Sequence, residues 1–199
     1  MSTLTPEKAY ISNGSTPTDF VSLDGMLTID DWLALPDTKP HYELIDGKLV
    51  QKMTTTNKHN WITRKLLRFC DEWSDESGWQ FFGEGPGVEI DSRNGYIPDV
   101  MGFAPDTPID PDASTNPPPF LAVEVLSQGT SKKDRTDKMR DYARIGVPMY
   151  LIIDPNARTI EIYRLGNETY SVPEVLTEND VWQPEELSGL KVELKKLWM

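Results

Sequence analysis

The sequence predicts an α/β fold, a mixed β-sheet between helices, and three observations predict it. The stretch "NKHNWITRKLLRFCDEWSDES" repeats Ile62, Leu66, Phe69, Cys70 and Trp73 at helical spacing. The run "FLAVEVL", Phe120 to Leu126, is apolar enough for a strand buried on both faces. Two pairs of strand-like runs, "YELI" with "KLVQKM" and "PMYLIID" with "TIEIYRL", are joined by turn signals. Helix, hairpin, long helix, strands, helix and hairpin follow in that order, which makes residues 21–199 a single domain. Residues 1–20 are rich in Ser, Thr, Pro and Asn and read as a flexible tail.

Each element has a local cause. "LTIDDWLALP" predicts a short helix capped by Thr28, with Asp30 and Asp31 in its first turn and Pro36 at its end. Asp46-Gly47 is the turn of the first hairpin. The long helix has Asn57 as its cap and Gly78 after its end. "WQFF", "GVEI" and "YIPDVMGFA" predict three strands, and six prolines between Pro105 and Pro119 predict a loop. A second helix is expected from about Thr130 to Ile145, with Ser131 and Asp134 as a capping box and Gly146 and Pro148 as the stop. "PNAR", led by Asp154 as a turn former, closes the second hairpin. The acidic C-terminal third predicts a small hairpin and a final edge strand near "LKVEL".

Composition narrows the classes. No apolar run approaches the roughly 18 residues of a membrane span, and the polar N-terminus lacks the marks of a signal peptide, so a cytoplasmic protein is expected. The single Cys70 excludes an internal disulfide and has no His or Asp partner in sequence. A net charge of −12 disfavours contact with nucleic acid unless the bases are gathered together. They are: residues 48–70 hold six bases and no acid. Lys132, Lys133, Arg135, Lys138, Arg140 and Arg144 form a second group, diluted by aspartates. Either the groups are ordinary solvated helix faces, or they are a basic surface on an acidic body. Gly83, Gly85 and Gly87 do not make a phosphate loop, since no Lys-Ser/Thr follows them.

The chemistry is in the carboxylates. Glu124 sits inside the apolar run, and a carboxylate there needs a partner or a proton. Asp99 lies between Ile97 and Val100, on a second strand that the proline-rich loop can return beside the first. Two such acids side by side repel unless a proton or a cation separates them. A hard cation such as Mg²⁺ accepts one or two carboxylates and leaves its other positions to water and phosphate. The alternative is a buried Arg or Lys beside Glu124.

"PDV" around Asp99, "VEVLS" around Glu124 and "DRTDKMRDYARIGVPMYLIIDP" resemble a large bacterial family of restriction-endonuclease-related proteins, formerly a domain of unknown function. "YELIDGKLV" and the following His59 match it too, and the resemblance runs from about Leu27 to Arg164. That family belongs to the PD-(D/E)XK nuclease superfamily. The resemblance implies a restriction-endonuclease-like fold, a central mixed β-sheet flanked by α-helices. It also implies a metal-dependent site with Asp99 and Glu124 as ligands of Mg²⁺ or Mn²⁺, and DNA as the substrate. The usual Lys two residues past the second acid is Leu126 here, and Lys138 on the next helix, on a stripe with Asp134 and Tyr142, is its natural substitute. Glu43 and His59 are implied to line the same cleft. By themselves they also fit an edge-strand acid and a helix-entry packing residue.

A metal-dependent endonuclease is therefore expected, without a membrane partner. Two such sites could cut both strands of a duplex, which makes a homodimer an attractive assembly that no residue demands. The rivals are a nuclease-like binding module that has lost catalysis, and a metal-free hydrolase using the two acids as an acid–base pair.

Overall fold

The computed structural model describes residues 25–35, 41–52, 56–85, 87–127 and 134–199. Thr28 caps α1 (Ile29–Leu33) in a reciprocal capping box with Asp31. Trp32 of this helix is buried and donates its indole N–H to the Tyr42 carbonyl at 2.7 Å. It lies flat against Gly87 and Gly95, where an added Cβ would come within 2.2 and 2.4 Å of its ring. Only glycine permits that approach. β1 (Tyr42–Ile45) and β2 (Lys48–Gln51) form the expected hairpin. Asp46 and Gly47 both take positive φ, 49° and 72°, which the tight turn requires.

The long helix α2 (Asn57–Ser77) buries His59, Ile62, Leu66 and Cys70 along one stripe. Thr56, not Asn57, is its cap, accepting from the His59 N–H, and Gly78 ends it in the left-handed conformation. β3 (Gln80–Phe82), β4 (Gly87–Asp91), β5 (Asn94–Tyr96) and β6 (Val100–Phe103) follow. "YIPDVMGFA" is not one strand. Pro98 interrupts it, so β5 and β6 belong to different sheets and Asp99 sits at the break.

The loop predicted from its prolines carries only the two-residue β7 (Thr115–Asn116) before β8 (Leu121–Val125), the strand of the apolar run. The second helix is described from Asp134; Ser131 and the expected start near Thr130 lie outside the described residues. It opens as a π-helical turn (Asp134–Lys138) and continues as α3 (Met139–Arg144). π turns concentrate at functional sites. β9 (Met149–Asp154) and β10 (Thr159–Arg164) form the second hairpin, and the Asp154 carboxylate caps its turn by accepting from the Asn156 and Ala157 N–H groups.

The strands form two mixed sheets. One runs β2-β1-β5-β4-β7; the other runs β11-β10-β9-β8-β6-β3, with β11 (Glu174–Thr177) at its edge and β8 parallel to β9 at its centre. β8 is buried on both faces. Leu121, Val123 and Val125 point to the cluster under α2, and Ala122 points to a cluster with Tyr142, Tyr150 and Ile152. The C-terminal third is more than acidic surface. β12 (Val181–Trp182) and β13 (Val192–Glu193) pair beyond the sheets, and Trp182, Leu187, Leu190, Val192, Leu194 and Leu197 complete the core beneath α2.

Candidate active site

Strand geometry brings the two acids together. In the β6–β8 ladder Val100 faces Val123, and one step further lie Asp99 and Glu124, with the Asp99 N–H bonded to the Val123 carbonyl at 3.0 Å. With a side-chain period of two, Glu124 shares its face of β8 with Ala122, toward α3. Glu43 enters from β1, His59 from the first turn of α2 and Lys138 from the end of the π turn. All five residues singled out in the sequence are buried, between 2% and 6% exposed, and they converge on one site between the two sheets.

Each acid has a distinct set of partners. Asp99 Oδ2 accepts from the Val125 N–H at 2.8 Å and from His59 Nε2 at 2.9 Å. An ionised carboxylate has no proton to give, so the imidazole donates through Nε2. Asp99 Oδ1 has the Lys52 ammonium 2.9 Å away, yet has no aligned hydrogen bond. Burial disfavours the Asp99 charge, but Lys52 and His59 outweigh burial and hold the carboxyl well below the ordinary carboxylate range. Glu124 Oε1 accepts from Lys138 Nζ at 2.8 Å and from the Tyr142 hydroxyl at 3.1 Å. Complete burial pushes Glu124 up to about 8; Lys138 works against that, and the nearby Asp99 and Asp134 charges add to it.

Lys138 holds the carboxylates together. Its ammonium lies 2.8 Å from both Glu43 Oε1 and Glu124 Oε1, 3.8 Å from Asp134 Oδ1, and over the Tyr96 ring. Burial disfavours its charge, but three carboxylates overcome that and raise its pKa well above the usual lysine value. Lys138 has three counter-charges where Glu124 has one close ammonium and repelling neighbours. The ammonium therefore persists, and Glu124 is the acid that most readily holds a proton. Glu43 also accepts from the Ile97 N–H at 3.2 Å, which ties β1 to the Asp99 segment.

The partner that Glu124 needs is a lysine: its direct partners in the structure are Lys138 and Tyr142. The 134/138/142 stripe was legible, but Lys52 was not singled out as a site residue. It follows β2 by one residue, and its ammonium also donates to the Ile97 carbonyl at 2.7 Å. No periodicity marks such a residue; only the fold turns it inward. Cys70 is buried in the α2 core, and burial pushes its thiol up, away from thiolate chemistry.

The donor set fits a hard divalent cation. Asp99 Oδ1 is buried without an aligned donor, and Glu124 has one oxygen tied to two protein donors. Four buried carboxylates, Glu43, Asp99, Glu124 and Asp134, face two lysines, Lys52 and Lys138. Among the described residues no three His, Cys, Asp or Glu side chains form a ready cation cage. Mg²⁺, which uses one or two carboxylates and completes its shell with water and phosphate, needs no cage.

The basic groups differ from one another. Arg64 and Lys65 lie over the Trp61 ring at 4.9 Å, with no carboxylate partner among the described residues. In the second group Arg135 pairs with Glu161, and Arg140 and Arg144 pair with Asp141. Asp141 is buried and Glu161 mostly so, and these pairs hold the second group against the body of the protein. No helix among the described residues is long and apolar enough to cross a membrane.

The model of a family named Uma2, described as "Putative restriction endonuclease", matches residues 29–195. No curated protein matches the chain. Among solved structures, the crystal structure of a "putative nuclease belonging to DUF820" from Anabaena variabilis ATCC 29413 is similar, with a TM-score of 0.71 and 23% identity. The match covers 86% of this chain and 97% of that one. At that identity the likeness shows the fold alone, a mixed α/β architecture, and the family match over most of the length shows the family: the chain belongs to the Uma2 family of restriction-endonuclease-related proteins.

Proposed function

We propose that this protein is a metal-dependent endonuclease that hydrolyses DNA phosphodiester bonds, with Asp99 and Glu124 holding Mg²⁺ or Mn²⁺. One observation carries the reading: Asp99, just before β6, and Glu124, within β8, lie side by side, each with one oxygen committed to protein donors. When bound, the cation would acidify water and neutralise charge on the scissile phosphate. His59 and the Val125 N–H orient Asp99, while Lys138 and Tyr142 orient Glu124. Lys138 is thus a positioning residue as much as a displaced superfamily lysine. Arg64 and Lys65 on α2 supply the phosphate contacts that the acidic body lacks.

Cleavage of single-stranded, duplex and branched DNA in Mg²⁺ or Mn²⁺, beside Asp99→Ala, Glu124→Ala and an EDTA control, tests this. Activity lost in both variants and in EDTA is expected; equal behaviour of wild type and variants overturns it. A second reading has its own support. Lysines already partner both acids, as they would in a nuclease fold that only binds. That reading expects no cleavage and no cation uptake dependent on the two acids.

A further inference from the structure

Lys52 is the one member of the site whose contacts point two ways. Its ammonium is 2.9 Å from Asp99 Oδ1, without hydrogen-bond alignment, and 3.9 Å from Glu84 Oε1. Glu84 also meets His41 Nδ1 at 3.5 Å, and with a side chain 29% exposed it stands at the edge of the closed site. Beyond it opens a groove of about 470 Å³ that α2 lines with Asn60, Thr63, Arg64 and Arg68 together with the acids Asp71 and Glu72. The Lys52 side chain is 12% exposed, more than Asp99, Glu124 or Lys138. Lys138, by contrast, is locked among three carboxylates and a tyrosine ring.

Asp99 Oδ1 is also the oxygen that the protein leaves for a cation, because Oδ2 is fully used by Val125 and His59. An ammonium and a divalent ion cannot both sit against it. We propose that Lys52 is a resident cation occupying the metal's place on Asp99, and that Glu84 receives its ammonium when a divalent ion enters. This rests on Asp99 and Glu124 being the metal ligands. The exchange trades the Asp99 ion pair and the hydrogen bond to the Ile97 carbonyl for the Glu84 ion pair, and Lys52 keeps its charge throughout. It also neutralises the Glu84 carboxylate at the mouth of the α2 groove once the site is loaded. Cation loading and phosphate attraction are then coupled.

A site filled by its own side chain binds a ligand more weakly, by the fraction of time that the site is open. Calorimetric titration of the full chain with Mn²⁺, without DNA, reads this directly. Lys52→Gln is expected to bind about tenfold more tightly than wild type, as for a site open roughly a tenth of the time. Glu84→Gln is expected to bind several-fold more weakly. In the Lys52→Gln background Glu84→Gln should have no effect, since there is no ammonium left to receive. Additive effects of the two substitutions, as distant independent charges give, would overturn the handover. Affinity unchanged or weakened in Lys52→Gln, with wild-type uptake still requiring Asp99 and Glu124, would overturn the resident cation and leave the metal site standing. No uptake in wild type or in Lys52→Gln would overturn both. Far-ultraviolet circular dichroism of each variant establishes that it is folded.

Discussion

Replacing Lys138 by Met removes an ammonium that touches Glu43 and Glu124 together. The two contacts are 2.8 Å each, with Asp134 at 3.8 Å, and all the side chains involved are at most 7% exposed. Removing one partner of a buried ion pair costs about 3–5 kcal/mol, because the remaining charge is left uncompensated. Three carboxylates lose this ammonium, so a loss within that range, about 4 kcal/mol at pH 8, is expected. With a urea slope of about 2 kcal/mol/M, the unfolding midpoint falls by about 2 M. Lys138 has its folded pKa raised, so its contribution is fully present below the ordinary lysine value and is lost only as pH rises through the higher folded one. In wild type it is therefore present across pH 5–9. In Lys138→Met the abandoned carboxyls take up protons as the pH falls, so the deficit shrinks toward pH 5. Equilibrium urea unfolding followed by Trp fluorescence, in EDTA at pH 5 and pH 8, measures both. A loss below about 1 kcal/mol at pH 8, well short of the cost of a broken buried pair, would refute the reasoning, as would a deficit that grows on acidification.

The remaining predictions concern the acids, the core and the basic face. Glu124 is raised to about 8 by burial, so its contribution is present below its ordinary value of 4.5 and lost as pH rises through about 8. Asp99 is depressed, so its contribution is present above its ordinary value of 3.8 and lost as pH falls through the folded value below it. In EDTA, Glu124→Gln should therefore raise Tm above pH 8 while Asp99→Asn lowers it at pH 7; shifts of the same sign would contradict the assignment. Any activity surviving in EDTA would instead favour the acid–base hydrolase, which the opposed carboxyls could serve. Gly95→Ala puts a methyl group 2.4 Å from the Trp32 ring, and overpacking of this kind costs about 1–3 kcal/mol; an unchanged urea midpoint would mean that α1 is not held by that contact. Arg64→Ala should weaken DNA binding uniformly across sequences and lower the log–log salt slope by about 1, read by fluorescence anisotropy. A slope equal to wild type would take Arg64 out of the interface.

Local signals carried far in this chain. The Asp46-Gly47 turn, the Thr28 capping box and the α2 stripe form as their residues dictate, since each depends on neighbours within a turn or two. Glu124 could be singled out because a carboxylate in an apolar run is chemically out of place, and Lys138 because the family resemblance calls for a lysine that Leu126 does not supply. Long-range pairing was less legible. Pro98 splits "YIPDVMGFA" between two sheets, and no local pattern says which sheet each half joins. Lys52 reaches Asp99 only because β1 places β2 against the Asp99 segment through Glu43 and Ile97, a contact across 54 positions. The C-terminal hydrophobics that close the core under α2 are spaced too irregularly to show a period.

The central claim is that Asp99 and Glu124 together bind a divalent cation. Electron paramagnetic resonance titration of the full chain with Mn²⁺ tests it most directly, because free and bound Mn²⁺ give separable signals. We predict bound Mn²⁺ in wild type, displaced by Mg²⁺, and its loss in both Asp99→Asn and Glu124→Gln while each variant remains folded. Mn²⁺ bound equally by wild type and both variants, or by none of them, would contradict the account.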